Sequence, residues 1–177
     1  MKPEFQIFDN FLSPQDFTNI KNEITALEFQ WSFSPHVDHP EESPTPGQFV
    51  HTVYYGGVPA SDFYNRLAPI LEHKLDCCCL YRIKANLQPR LPEPFTYMYH
   101  SDLEYDFDFE SAAHWTTAIF YINTNNGYTQ FKNGETVDSI ENRLITFPAV
   151  MKHRSVSQTD TQTRIVINFN YLKRRER

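Results

Sequence analysis

The sequence predicts a mainly β chain with helices at its N-terminal end, and three observations carry that reading. After Cys77 six short runs rich in β-branched and aromatic residues follow one another: "CCLYRIKANL", "FTYMYH", "WTTAIFYIN", "TQFKN", "RLITFP" and "TRIVINFNYL". Turn signals such as Asn125-Asn126-Gly127 and Asn133-Gly134 part them. Before Cys77 the texture differs, with two stretches that carry helix signals. A chain of 177 residues with 40% hydrophobic content suits one domain, 1–177, with a helical part at about 1–76 and a β core at about 77–172. Short strands in that number imply a sandwich or a barrel.

The elements follow in order. In "FDNFLSPQDFTNIKNEI", Ser13 caps, Pro14 takes the first helical position and Asp16 the first turn, so a helix should run to about Leu27. Residues 34–49, "SPHVDHPEESPTPGQF", are too rich in proline for regular structure and are expected to form a long loop. "SDFYNRLAPILEHKL" predicts a second helix, Ser61 to Leu75. Cys77, Cys78 and Cys79 are consecutive, so on a strand they point to opposite faces and suit neither a zinc site nor a disulfide framework. Reduced thiols in an intracellular, cytoplasmic protein are the expectation. No apolar segment follows Met1 and no apolar run approaches ~18 residues, which predicts neither export nor a membrane span. The formal charge of −6 argues against nucleic acid as a partner, and the basic end Lys173 to Arg177 is expected to be a solvated tail.

Chemistry enters with "YMYHSDLEYD", Tyr97 to Asp106. His100 and Asp102 are two residues apart, so on a strand both point to one face and could grip one metal ion. A third ligand has to come from a distant strand, and His153 in "PAVMKHRSVSQ" is the candidate. Eleven residues further, Arg164 opens the last strand, whose alternation puts Arg164, Val166 and Asn168 on one face and Ile165, Ile167 and Phe169 on the other. An arginine on an inner face requires an anion. Two histidines and one carboxylate form the facial triad of non-haem Fe(II) oxygenases, which leaves three positions open. A keto acid needs two of those and O2 one, and Arg164 would hold the keto acid's far carboxylate.

At these residues the sequence resembles the Fe(II)/2-oxoglutarate-dependent dioxygenases, and within them the prolyl-4-hydroxylase-like branch with its small stand-alone bacterial and phage members. "FDNFLSPQDF" looks like that family's opening strand and first helix, "HSD" its iron motif, and "TTAIFYIN" its T-x-x-x-Y-L-N strand. "NGYTQF" is similar to its G-G-x-T-x-F turn, "NRLITFP" to G-R-x-x-x-F, and "HRSVSQTDTQTR" to its distal His and Arg. The resemblance implies a double-stranded β-helix, a cupin-like jelly roll. It implies that His100, Asp102 and His153 bind Fe(II), that Arg164 pairs with the C5 carboxylate of 2-oxoglutarate, and that Tyr121 hydrogen-bonds the same carboxylate. The implied reaction consumes 2-oxoglutarate and O2, releases succinate and CO2, and hydroxylates a C–H bond of a peptide side chain or small molecule. No protein acid or base is then needed beyond the metal centre. Two departures stand out: Asn126 replaces the first glycine of the turn, where its tolerance of left-handed backbone would serve, and the segment after the distal His is one residue longer.

Rival readings can be weighed from the residues. "HVD", His36 to Asp38, is a second His-x-Asp, but it lies in the proline-rich loop without a strand to aim both side chains. His51, His73 and His114 are expected to be structural, and Tyr97 and Tyr99 to be core or pocket wall. A non-catalytic cupin-type jelly roll is opposed by the inward Arg164. A nucleic-acid oxidative demethylase is opposed by the acidic balance and the lack of a basic, aromatic-studded groove. In "DLEYDFDFE" the acids Asp102, Glu104, Asp106, Asp108 and Glu110 alternate with apolar residues. A straight strand would crowd them on the metal face, where like charges raise one another's pKa. The chain should therefore turn just after Asp102 and set the later acids around the mouth, favouring neutral or cationic substrates, unless they merely solubilise an edge.

Overall fold

The computed structural model describes residues 5–36, 45–103 and 106–174. Helix α1 is Pro14–Ile24, with the Ser13 hydroxyl accepting from the Asp16 N–H and Phe17, Ile20 and Ile24 buried on one stripe. It ends three residues earlier than expected because the apolar stripe stops at Ile24, and Leu27 lies wholly in solvent. Helix α2 is Tyr64–His73, with Leu67, Ile70 and Leu71 buried. Residues Ser61 to Phe63 form only a turn before it, closed by the Tyr64 N–H on the Ser61 carbonyl.

The strands are β1 (Gln6–Phe8), β2 (Ser32–Ser34), β3 (Gln48–Tyr55), β4 (Val58–Pro59), β5 (Cys77–Pro89), β6 (Thr116–Tyr121), β7 (Tyr128–Phe131), β8 (Thr136–Asp138), β9 (Arg143–Pro148), β10 (His153–Val156) and β11 (Thr163–Lys173), with a one-turn helix α3 at Phe109–Ala112. The large sheet has the order β1-β9-β6-β11-β5-β3-β2, with β4 on β3, and the small sheet the order β10-β7-β8. All pairings are antiparallel. This two-layer β arrangement is the jelly roll that the sequence resemblance implies.

The part before Cys77 is not simply helical, which corrects the expected division at residue 76. It supplies β1 to β4 to the large sheet, and β3 alone is an eight-residue partner of β5. A register shift between Thr52 and Tyr54 breaks the alternation of "QFVHTVYY", so its strand period is hard to see in sequence. The expected strand "FTYMYH" also changes: its backbone pairs with β10 only through the bridges Thr96↔Val156 and His100↔His153. Four steps along one chain face three along the other (100 − 96 against 156 − 153), so one residue is extra and regular pairing fails. Of the 34–49 loop, residues 37–44, including Asp38 of the "HVD" motif, lie outside the described residues.

Alternation on the large sheet divides two cores. Ala118, Phe120, Ile165, Ile167 and Phe169 face α1 and α2, while Ile119, Tyr121, Val166, Phe131 and Phe147 fill the space between the sheets. Cys77, Cys78 and Cys79 are free thiols, and burial pushes the Cys77 thiol up to about 11. No described helix is long and apolar enough to cross a membrane.

Candidate metal and cosubstrate site

His100 and His153 face each other across the bridge between the two sheet-edge segments, with reciprocal backbone bonds of 3.0 Å in each direction. The His153 Nδ1 lies 3.1 Å from the Met151 carbonyl and the His100 Nδ1 3.4 Å from the Met98 carbonyl. A carbonyl only accepts, so both Nδ1 atoms carry the proton and each Nε2 presents the lone pair that a metal ion would use. These lie 3.9 and 3.8 Å from Asp102 Oδ1 respectively. One ligand atom from each of the three residues falls within 4.8 Å of the others, close enough for one ion to touch all three. Phe147 packs edge-on against the His153 ring and forms the apolar wall behind it.

Asp102 is nearly sealed, its side chain 4% exposed. Burial pushes its pKa up, but His153, Arg82, His100 and the Asn170 hydrogen bond together outweigh burial and hold it well below the usual carboxylate range. Its Oδ2 accepts from Thr117 Oγ1 at 3.0 Å and from Asn170 Nδ2 at 2.9 Å. Immediately after it the chain turns, with the Asp106 and Phe107 N–H groups returning to the Leu103 carbonyl, as the repulsion argument requires. The acids then part company. Asp106 lines the cavity, Asp108 caps α3 through the Ser111 N–H, Glu110 is exposed, and Glu104 is outside the described residues.

Further along the same inner face, Arg164 is 3% exposed, and burial lowers its pKa from the ordinary arginine value. Its partners are all neutral: Ser139 Oγ at 2.8 Å, Ser155 Oγ at 3.2 Å, Thr129 Oγ1 at 3.4 Å and Gln88 Oε1 at 3.5 Å. Among the described residues no carboxylate pairs with it. Tyr121 is wholly buried, its ring 5.6 Å from the guanidinium and its hydroxyl donating to Thr129 Oγ1 at 2.7 Å. Burial raises the Tyr121 pKa, against the opposing pull of Arg164, so the phenol keeps its proton. Gly127 explains its place in the turn. A Cβ there would stand 2.9 Å from the Val156 carbonyl and 3.0 Å from the Arg164 stem, so any larger residue displaces the arginine.

Arg164 and the triad line one cavity of about 160 Å³. Between them lie Asn86 and Asn168, whose Oδ1 atoms are buried without a hydrogen-bond partner. Such atoms are costly to leave unmatched and point to a polar ligand. The donor set suits a divalent transition ion, and a buried cation with neutral partners suits a carboxylate, so the residues present fit iron and a keto acid.

The other candidates fall elsewhere. His51 bonds the Gln30 carbonyl and Ser61 and packs on Phe29, a structural role. His73 is exposed beside Glu72, and His114 is exposed. Tyr97 is buried against Phe95, and Tyr99 lies under Arg154. The two departures in sequence meet in space. Asn126 is not left-handed, contrary to expectation; its side chain instead bonds Thr159 twice, and its N–H bonds Asp160, within the lengthened segment. Sequence reading missed Thr117, Asn170 and Arg82 around Asp102, and Ser139, Thr129 and Gln88 around Arg164. The period of two, continued from Arg164 through Asn168, reaches Asn170.

No protein-family model matches the sequence, and no curated protein matches it. Solved structures do match. A prolyl hydroxylase from Trichoplax adhaerens, described in complex with a hypoxia inducible factor peptide fragment, is 15% identical over 97% of this chain and 84% of its own, with a TM-score of 0.65. A Pseudomonas putida prolyl-4-hydroxylase is 16% identical over 97% of this chain and 94% of its own, at 0.58. The epimerase SnoN from a complex with Fe3+, alpha ketoglutarate and nogalamycin RO is 13% identical over 96% of this chain and 79% of its own, at 0.65. The chain thus shares the jelly-roll fold of these structures, from the first described strand to the last.

Proposed function

We propose that the chain is an Fe(II)- and 2-oxoglutarate-dependent dioxygenase that hydroxylates a C–H bond of a peptide side chain or small molecule. The observation that carries the reading is a sealed arginine with only neutral partners, facing the same cavity as two histidines and a carboxylate. His100, Asp102 and His153 would hold the iron, the two histidines through Nε2 and the aspartate through its carboxylate. Arg164 takes the C5 carboxylate of 2-oxoglutarate, with Tyr121 and Thr129 completing the polar end. When bound, iron supplies the activation of O2 that couples decarboxylation of 2-oxoglutarate to oxidation of the substrate. The balance is 2-oxoglutarate plus O2 plus R–H giving succinate, CO2 and R–OH.

The protein's own work is positional. Reciprocal backbone bonds tie together the segments carrying the two imidazoles, burial keeps the Asp102 side chain and Arg164 dry, and Phe147 packs behind His153. A substrate that reaches the iron passes Asp106, a carboxylate on the cavity lining. That chemistry favours a neutral or cationic reacting end. The test is an anaerobic titration with Fe(II) and then 2-oxoglutarate, followed by O2 and a panel of peptides and small molecules. Succinate release that needs both iron and 2-oxoglutarate is expected; no 2-oxoglutarate binding in the iron-loaded protein sinks the reading.

A further inference from the structure

We propose that Thr117, Asn170 and Arg82 are positioning residues that hold Asp102 as a one-oxygen metal ligand. This inference rests on the iron reading above and adds a reason for side chains that reading does not use. Oδ2 of Asp102 receives two donors, Thr117 Oγ1 at 3.0 Å and Asn170 Nδ2 at 2.9 Å. Oδ1 receives neither, and it is the oxygen that lies 3.8 and 3.9 Å from the two histidine Nε2 atoms. The two oxygens are thereby given different tasks.

Arg82 sets the direction of the arrangement. Its Nε can only donate, and it meets Asn170 Oδ1 at 3.0 Å, so the Asn170 amide must turn its NH2 toward Asp102. The same NH2 also donates to Thr117 Oγ1 at 3.0 Å, closing a triangle of Thr117, Asn170 and Asp102. Arg82 Nη2 reaches the Asp102 carbonyl at 3.3 Å, which fixes the backbone from which the carboxylate projects. Thr117 and Asn170 are wholly buried and sit opposite each other on β6 and β11. With no water to substitute, neither bond is lost cheaply.

The consequence concerns how many ligands the metal can accept. Two imidazoles and one carboxylate oxygen leave three positions of an octahedral ion, two for the keto acid and one for O2. A carboxylate free to turn could contribute both oxygens, and the keto acid and O2 would then compete for what remains. The triangle prevents that turn by occupying Oδ2. Thr117, Asn170 and Arg82 therefore act on the third open position through Asp102, without touching substrate.

The experiment counts exchangeable water on bound Mn(II), by water-proton relaxation, in the full chain without cosubstrate. About three waters are expected for the unaltered protein and for Thr117→Ser, which keeps the hydroxyl. Thr117→Val combined with Asn170→Ala should lower the count to about two, and 2-oxoglutarate should then remove the last of them. Thr117→Val alone, nearly the same in shape, carries the test should the double variant fail to fold, with a count between those limits. A count of three in every folded variant overturns the inference while leaving the iron reading intact. An unaltered protein that takes up no Mn(II) overturns the iron reading, and this inference with it.

Discussion

On one side of β11, Ile165, Ile167, Phe169 and Tyr171 pack toward the helices; on the other, Arg164, Val166, Asn168 and Asn170 face the small sheet. Both faces are almost fully buried, yet they are made of different chemistry. The helix side asks of each residue mainly volume, and burial there stabilises in proportion to area. The inner side buries a guanidinium and amides, each of which needs a matched partner to be tolerated. One strand thus serves stability with its odd residues and, in the function proposed above, ligand binding with its even ones. Substitutions on the two faces should separate these properties.

The sharpest break of the comparison is Asp102→Ala, anchored by the even face through Asn170. Turnover of 2-oxoglutarate should vanish, a loss larger than the roughly 10–100-fold typical of an outer contact to a metal ligand. Calorimetry should find metal affinity lost as well, and a variant that still decarboxylates 2-oxoglutarate would remove Asp102 from the site. Phe169→Ala tests the odd face. Removing a wholly buried ring should cost about 3–5 kcal/mol in urea unfolding. Activity per folded molecule should stay the same, and a fall in it would mean that the two faces are not separable.

Arg164→Lys keeps the charge but loses the fork. The KM for 2-oxoglutarate should rise about tenfold, near 1.4 kcal/mol, with metal affinity unchanged. Arg164→Met should abolish 2-oxoglutarate binding without lowering Tm, because a desolvated charge is exchanged for an apolar side chain of similar length. A lower Tm with normal 2-oxoglutarate affinity would make the arginine structural. The smallest effect is a control away from both faces. Arg143 pairs with Asp9 at 2.6 and 3.1 Å, and its hydrogen bond holds the Asp9 pKa below the ordinary value. That contribution is present above the unfolded carboxylate pKa, near ~4, and fades as pH falls through the lower folded value. Asp9→Asn should remove this acid-side slope, by less than about 1 kcal/mol for a pair whose acid is half exposed, and leave neutral-pH activity alone. An unchanged slope would assign acid sensitivity elsewhere.

What could be read in advance follows from period and spacing. The alternation in "RIVINFNYL" separates the two faces of β11 correctly, whereas His100 and Asp102 reach one cavity from an isolated bridge and a turn rather than from the expected strand. Strand β3 was hidden because its bulge scrambles the alternation and a proline-rich segment precedes it. Asn170 and Thr117 were hidden for another reason: cross-strand register brings residues 53 apart in sequence within 3.0 Å, and no local pattern encodes register. Asn126 shows the converse. Its place in the turn is legible in sequence, but its bonds to Thr159, 33 residues away, are not, because only the fold brings the two segments together.

The reciprocal bond between His100 and His153 has a consequence for the life of the protein when iron is scarce. Because backbone hydrogen bonds tie together the segments that carry His100 and His153, the chain itself brings the two proposed ligands side by side. Stripping with a chelator should leave the circular dichroism spectrum and the cooperative melt nearly as they were, unlike domains that collapse without their metal. In the function proposed above, molecules idled by iron starvation would then wait as folded, reloadable stock, and activity would follow iron supply within the time of diffusion rather than that of refolding.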